Sequence, residues 1–235
     1  MCINFKIRMY NIISEGEFFM KVLIIGANGQ IGKHLATYMQ DHPTLEAVAM
    51  IRDEGQAEFF KKIGIQTVIA NLEDDTETIA KAASGCDAMV FTAGSGPHTG
   101  KDKTLLVDLD GAVKTIEAAK LANIERYIMI SSFDTTRAAI QAASESFAPY
   151  VVAKHYADEW LRAANLQHTI IHPGLLTNDE PTGKVTAAPT VGRDEVPRAD
   201  IAKVILASLE NDASINKEFQ VVRGKTAIDT AIQEL

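Results

Sequence analysis

The chain has 235 residues, 46% hydrophobic and 23% charged, the balance of a soluble globular protein long enough to bury one sizeable core. Its net charge of -8 argues against non-specific nucleic-acid binding, which needs a basic face. No apolar run approaches the roughly 18 residues of a membrane span, and two cysteines, Cys2 and Cys86, supply neither a disulfide framework nor metal-ligand spacing, so a cytoplasmic protein without a metal is expected.

Residues 1–19 lack a signal-peptide core, because Lys6, Arg8, Asn11, Glu15 and Glu17 interrupt the apolar residues. Glu15-Gly16-Glu17 fits a purine-rich coding run just ahead of the Met20 codon, as a translated ribosome-binding site would. Met20 is therefore the expected natural start, and 1–19 an extension that packs poorly.

The first element is Val22-Leu23-Ile24-Ile25, a mostly β-branched run that reads as a strand buried on both faces. Glycines follow at once in Gly26-Ala27-Asn28-Gly29-Gln30-Ile31-Gly32, and from Ile31 the apolar period becomes helical through Leu35, Tyr38 and Met39. Strand, glycine turn and helix open a dinucleotide-binding βαβ unit. Gly26 permits the sharp turn, Gly29 lets the backbone approach a pyrophosphate, and Gly32 lets helix and strand pack closely. The helix N-terminus then offers free N–H groups to the phosphates.

A second strand at 45–51 ends in Arg52-Asp53. Arg52 at this tip, about twenty residues beyond Gly32, suits a ribose 2′-phosphate, whereas Asp53 is expected to point away or start the next helix. NADP(H) is thus expected over NAD(H). Further on come a helix through Phe59, Phe60 and Ile63, a strand at 66–70 ending in Asn71-Leu72, a helix at 76–83 and a strand at 87–91. The glycine-rich stretch Thr92-Ala93-Gly94-Ser95-Gly96-Pro97-His98 follows that strand. A long helix is expected at 104–121, with Leu105, Leu109, Val113 and Ile116 tracking one face. The remaining expectations are strands at 126–131, 169–172 and 219–222, helices at 150–164 and 199–209, and a short terminal helix. Alternating βα units with buried strands predict an α/β, doubly wound, mostly parallel sheet of about seven strands with helices on both faces. Residues 20–235 form one domain, and the Pro-rich segment 173–197 reads as a small loop-rich cap over the strand ends.

With these elements in order, the chain resembles an atypical short-chain dehydrogenase/reductase of the NAD(P)-dependent epimerase/dehydratase-like branch, related to NmrA-like and flavin-reductase groups. The resemblance rests on Gly26-x-x-Gly29-x-x-Gly32, Ala93-Gly94-Ser95-Gly96, Val107-Asp108-Leu109-Asp110-Gly111, Ile130-Ser131-Ser132, Tyr150-x-x-x-Lys154 and Ile171-His172-Pro173-Gly174. It implies an NADP-binding Rossmann fold, a small-molecule substrate, and a monomer or homodimer. It places Asn28, Gln30, Ile31, Leu72, Ala93, Gly94, Ser95 and Pro173 beside the cofactor. Asn71 stands where relatives often carry aspartate and would hydrogen-bond the adenine.

Tyr150 and Lys154 stand i and i+4 on one helix, so both face the same way. The ammonium is expected to lower the tyrosine pKa and make Tyr150 a general acid or base, while Lys154 also reaches the nicotinamide ribose. Ser132, at a strand end, would donate to the substrate oxygen. Asp108 replaces an asparagine usual in the family, and a carboxylate only accepts, which alters any proton relay there. His98 and His172, the latter in place of an arginine, are candidate substrate contacts. Three functions follow: an NADPH-dependent oxidoreductase or epimerase-like enzyme for a small carbonyl or hydroxyl compound, a non-catalytic NmrA-like redox sensor, or an NADPH-flavin reductase.

Overall fold

The computed structural model describes residues 19–96 and 98–235, so the expectation for 1–19 lies outside the described residues except at Phe19. The strands in chain order are β1 (Met20–Ile25), β2 (Leu45–Ile51), β3 (Gln66–Ile69), β4 (Ala88–Phe91), β5 (Arg126–Ile130), β6 (Gln167–Pro173), β7 (Leu175–Thr177), β8 (Lys184–Ala188), β9 (Glu195–Pro197), β10 (Lys217–Arg223) and β11 (Thr226–Ala227). The helices are α1 (Gln30–Met39), α2 (Ala57–Lys62), α3 (Thr76–Ala82), α4 (Lys101–Lys103), α5 (Asp110–Leu121), α6 (Arg137–Ala142), α7 (Ala148–Ala163), α8 (Arg198–Glu210) and α9 (Ile228–Gln233). One nine-stranded sheet runs β11-β8-β10-β6-β5-β4-β1-β2-β3, with only β8 antiparallel to its neighbours. β7 and β9 pair parallel as a separate ribbon.

The sheet is doubly wound, as its residues require. Along β1, Val22 and Ile24 enter one core while Leu23 and Ile25 enter the other. The same alternation divides β4 into Ala88 and Val90 against Met89 and Phe91, and β5 into Ile128 and Ile130 against Tyr127 and Met129. One core is closed by α1, α8 and α9 through Leu35, Met39, Ile201, Ile205 and Ile232. The other is closed by α5 and α7 through Ala112, Ile116, Ala157 and Leu161. Strands apolar on both sides can be buried only this way.

The structure departs from the expected elements in three places, the first being the short helix α6, where no element was expected. Besides the seven expected strands there are four short ones, β7, β8, β9 and β11, three of them inside the segment expected to be loop. Runs of two to five residues are too short for their periodicity to stand out. The expected helix at 104–121 begins with α4, passes through a π-helical stretch at Thr104–Leu109, and becomes α5. That wider turn shifts the helical phase, so Leu105 is 52% exposed instead of buried. The inward positions are Asp108, Ala112, Thr115, Ile116 and Ala119. A polar residue thus leads the buried face. π-turns of this kind cluster at functional sites.

Candidate active site

The chain reverses direction across the sheet between β1 and β4, and ligands of open α/β sheets bind at such a switch point, outside the carboxyl ends of the strands. Gly26 ends β1 with φ +79°, and an added Cβ there would lie 2.6 Å from Ala93 N. Thr92 closes the same junction, its N–H donating to Ile25 O at 2.9 Å. Gly32 is equally constrained, since a Cβ would come within 2.5 Å of Gly26 O. Gly29 differs: an added Cβ would meet only Gly26 O, at 3.0 Å, and otherwise face open space. It is the N-cap of α1 and provides no side-chain cap, so the first-turn amides remain available to an anion. Asn28 and Gln30 are exposed beside them, whereas Ile31 turns its side chain into the core and can offer only its backbone.

Arg52 sits exposed just past β2; its N–H donates to Gln56 Oε1, and its guanidinium has no hydrogen bond or ion pair among the described residues. Asp53 is the N-cap residue of a single 3-10 turn at Glu54–Gln56, as expected of a helix-starting residue. Beyond β3, Asn71 Oδ1 accepts from Glu73 N–H at 3.2 Å in a local turn, leaving its amide nitrogen free to donate. Leu72 is buried and packs on Gly111 of α5. Pro173 closes β6 opposite Val221 of β10. His98 lies exposed on the loop after β4.

The π-helical stretch carries Asp108, fully buried, against α7. Its Oδ2 accepts from Ser95 N–H at 3.1 Å, beside Gly94, while Oδ1 is buried without a partner among the described residues. Lys154, on α7, is also buried and donates to Ile130 O at 3.1 Å at the end of β5. Its ammonium stands 6.0 Å from the Tyr150 ring centroid and 5.5 Å from that of Phe91. Half-buried Ser132 and Tyr150 complete the group. The structure corrects the expected titration of Tyr150. Burial pushes its phenol above the ordinary value, and the Asp108 and Asp158 carboxylates push the same way. Lys154 and the Ser132 hydroxyl oppose them without prevailing. The group is a neutral phenol, ready to donate.

Beneath this site lies a buried network that the sequence reading missed. Asp158 extends the ladder Tyr150, Lys154, Asp158 along one face of α7 and is fully buried. Its Oδ2 accepts from Ser131 Oγ and Thr135 Oγ1, both at 2.8 Å, which ties the end of β5 and the loop after it to the helix. Burial raises the Asp158 carboxyl, against the pull of His172, Ser131, Thr135 and Lys154. His172 places Nδ1 2.5 Å from Ser132 O and Nε2 2.8 Å from Glu218 Oε1. Both neighbours are acceptors, so both ring nitrogens carry protons. Burial alone would lower His172; the Glu218 hydrogen bond, Asp158 and the Ser132 carbonyl together hold it above its ordinary value. Against the expected role in substrate contact, both nitrogens are spent inside the protein. Glu218, despite burial, is lowered to about 2 by His172 and Arg162. The i, i+4, i+8 spacing was visible in the sequence and was the available signal for Asp158; nothing local pointed to Glu218.

The family described as NAD(P)H-binding matches residues 26–212, from the end of β1 into the last turns before β10. The chain belongs to this NAD(P)H-binding family. It is 49% identical over 216 residues to the uncharacterized sugar epimerase YhfK of Bacillus subtilis, covering 92% of this chain and 100% of that protein. A solved protein of Bacillus halodurans, provisionally described as an NAD-dependent epimerase/dehydratase, superposes with a TM-score of 0.86 at 41% identity over 92% of this chain and 100% of its own. The oxidoreductase ylbE of Lactococcus lactis superposes at 0.83 with 32% identity, covering 92% and 96%. The NAD(P)H-binding family and its Rossmann architecture agree with the glycine turn and the strand order. Among the described residues no His, Cys, Asp or Glu cluster could hold a metal, and no helix is long and apolar enough to cross a membrane.

Proposed function

We propose that the protein is an NADP(H)-dependent oxidoreductase, or an epimerase-like enzyme using the same chemistry, that acts on a small carbonyl or hydroxyl compound. The observation that carries this reading is the meeting of Ser132, Tyr150 and Lys154 at the carboxyl ends of β4 and β5, with Tyr150 held as a neutral phenol. The residues fit a dinucleotide. Gly29 leaves an open cradle, α1 leaves uncapped amides, and the buried, unpartnered Asp108 Oδ1 is an acceptor that a hydroxyl or amide donor would satisfy. Gly26, Gly29 and the first turn of α1 would hold the pyrophosphate, and Arg52, with no competing carboxylate, the 2′-phosphate. Bound NADPH supplies a hydride. Ser132 orients the carbonyl oxygen, Tyr150 gives its phenolic proton to that oxygen, and Lys154 stabilises the phenolate left behind. The buried Asp158–His172 layer holds the end of β5 in register with α7 while this happens.

The test is NADPH consumption, followed by absorbance, over a panel of aldehydes, ketones, quinones and flavins. Tyr150→Phe removes one hydroxyl and should lower turnover of a carbonyl substrate about 10²–10⁴-fold with NADPH affinity unchanged. Turnover that survives in Tyr150→Phe supports the flavin-reductase reading instead. A redox sensor is favoured by one observation, the carboxylate at position 108, which cannot donate a proton. Tight NADPH binding with no turnover of any panel member would establish that alternative.

A further inference from the structure

Arginines in this chain are heavily engaged. Arg126, Arg137, Arg162, Arg198 and Arg223 each hydrogen-bond or ion-pair through their guanidinium groups. Arg52 and Arg193 do neither among the described residues. Arg52 lies past the carboxyl end of β2, whereas Arg193, on the loop between β8 and β9, is carried to the segment after β5 by its own contacts. Arg193 instead stands over the ring of Phe133, its guanidinium carbon 5.5 Å from the centroid. Phe133 directly follows Ser132.

The loop bearing Arg193 is fastened at both ends over the site. Gln220 on β10 clips it: its Nε2 donates to Phe133 O at 2.8 Å, and its Oε1 accepts from Val191 N–H at 2.9 Å. On the other side Asp194 O accepts from Leu175 N–H at 3.0 Å, so close above Gly174 that an added Cβ there would lie 2.1 Å from it. The neighbouring carboxylates are otherwise occupied. Asp194 Oδ1 accepts from Glu195 N–H, and Glu195 pairs with Arg223 at 3.0 Å. In a chain of net charge -8, a guanidinium left to the aromatic face of Phe133 is a cation with no counter-charge among the described residues. A cation–π contact at an exposed position is weak, and an anion presenting two oxygens to the fork outcompetes it.

We propose that Arg193 is the anchor for an anionic group, a carboxylate or a phosphate, carried by the substrate whose carbonyl meets Ser132 and Tyr150. This rests on the function proposed above and names its substrate class. The test uses matched probes, phenylpyruvate against phenylacetone and dihydroxyacetone phosphate against dihydroxyacetone. Each is titrated calorimetrically into the protein saturated with NADP+, where no hydride is available. At least one anionic probe should bind about ten- to a hundredfold more tightly than its neutral partner, the scale of a charge-assisted hydrogen bond. Whichever pair shows the difference identifies carboxylate or phosphate. Arg193→Gln should abolish the difference, Arg193→Lys should keep part of it, and NADP+ affinity should be the same in all three proteins. Anionic probes that bind no better than neutral ones, including no binding by any probe, would overturn the proposal. So would a preference that survives in Arg193→Gln. Failure of NADP+ itself to bind would strike the cofactor reading instead, and the same pairs titrated into nucleotide-free protein would still decide Arg193.

Discussion

The phenol of Tyr150 is set by a contest between burial and a cation, and burial wins. A sequence shows that Lys154 is one turn away, but not how much water is removed or that the Asp108 and Asp158 charges also act on the phenol. The consequence is directional: the neutral form persists above the ordinary value of 10.0, so the phenol keeps the proton it would deliver, and Lys154 is the group that favours its release. Arg52 was legible because a strand tip about twenty residues after the glycine turn has a known chemical duty. Its guanidinium is free of partners among the described residues, so Arg52→Ala should weaken NADPH binding by about 1.5–3 kcal/mol, the worth of a hydrogen bond to a charged group, and leave NADH nearly unchanged. Fluorescence titration with both nucleotides measures it. Equal losses for both would remove Arg52 from the 2′-phosphate site.

At the scale of elements, the glycine turn shows why identical residues have different duties. Gly32 is closed in by Gly26 O and Ala27, so Gly32→Ala should destabilise the fold, whereas a Cβ at Gly29 would meet only Gly26 O, at 3.0 Å, and should cost less structurally. Gly29→Val should therefore keep most of the stability and lose NADPH binding, because its side chain fills the approach of the pyrophosphate. Urea unfolding and nucleotide titration on both variants separate the two effects, and unchanged affinity in Gly29→Val would place the phosphates elsewhere. The long apolar strands β1, β2 and β5 and the helices α1 and α7 were readable because burial imposes a period on many residues at once. The π-helical stretch was not. It depends on turning Asp108 inward to Ser95 N–H, a contact between segments far apart in sequence. The four short strands were missed because two to five residues carry too little pattern, although β8 completes the sheet against β10.

Over the whole molecule, the network under the site couples stability to pH through groups on three separate elements, α7, β6 and β10. His172 is held above its ordinary 6.5, so its contribution is complete below that pH and fades as pH rises through the folded-state value. Glu218, lowered from 4.5 to about 2, contributes above 4.5 and loses that contribution as pH falls toward 2. Glu218→Gln should accordingly cost about 1–3 kcal/mol at pH 6, as a half-buried partner of a cation is neutralised, and less at pH 9, further toward deprotonation of His172. Urea unfolding at the two pH values checks this, and a cost that grows with pH would contradict it. The doubly wound, mostly parallel sheet was legible from alternating βα units, though not the order of its strands. What the order alone could not supply is the cross-sheet pairing of His172 with Glu218, which only the register of β6 against β10 creates. In the proposed function a dinucleotide lies along the carboxyl edge of the sheet, from Arg52 at one end to Tyr150 at the other. A crystal structure of the NADPH complex measures this directly. It should place the 2′-phosphate on Arg52, the pyrophosphate over Gly29 and the nicotinamide facing Ser132 and Tyr150. A nicotinamide turned away from that pair, or a 2′-phosphate in solvent with Arg52 unengaged, would contradict it.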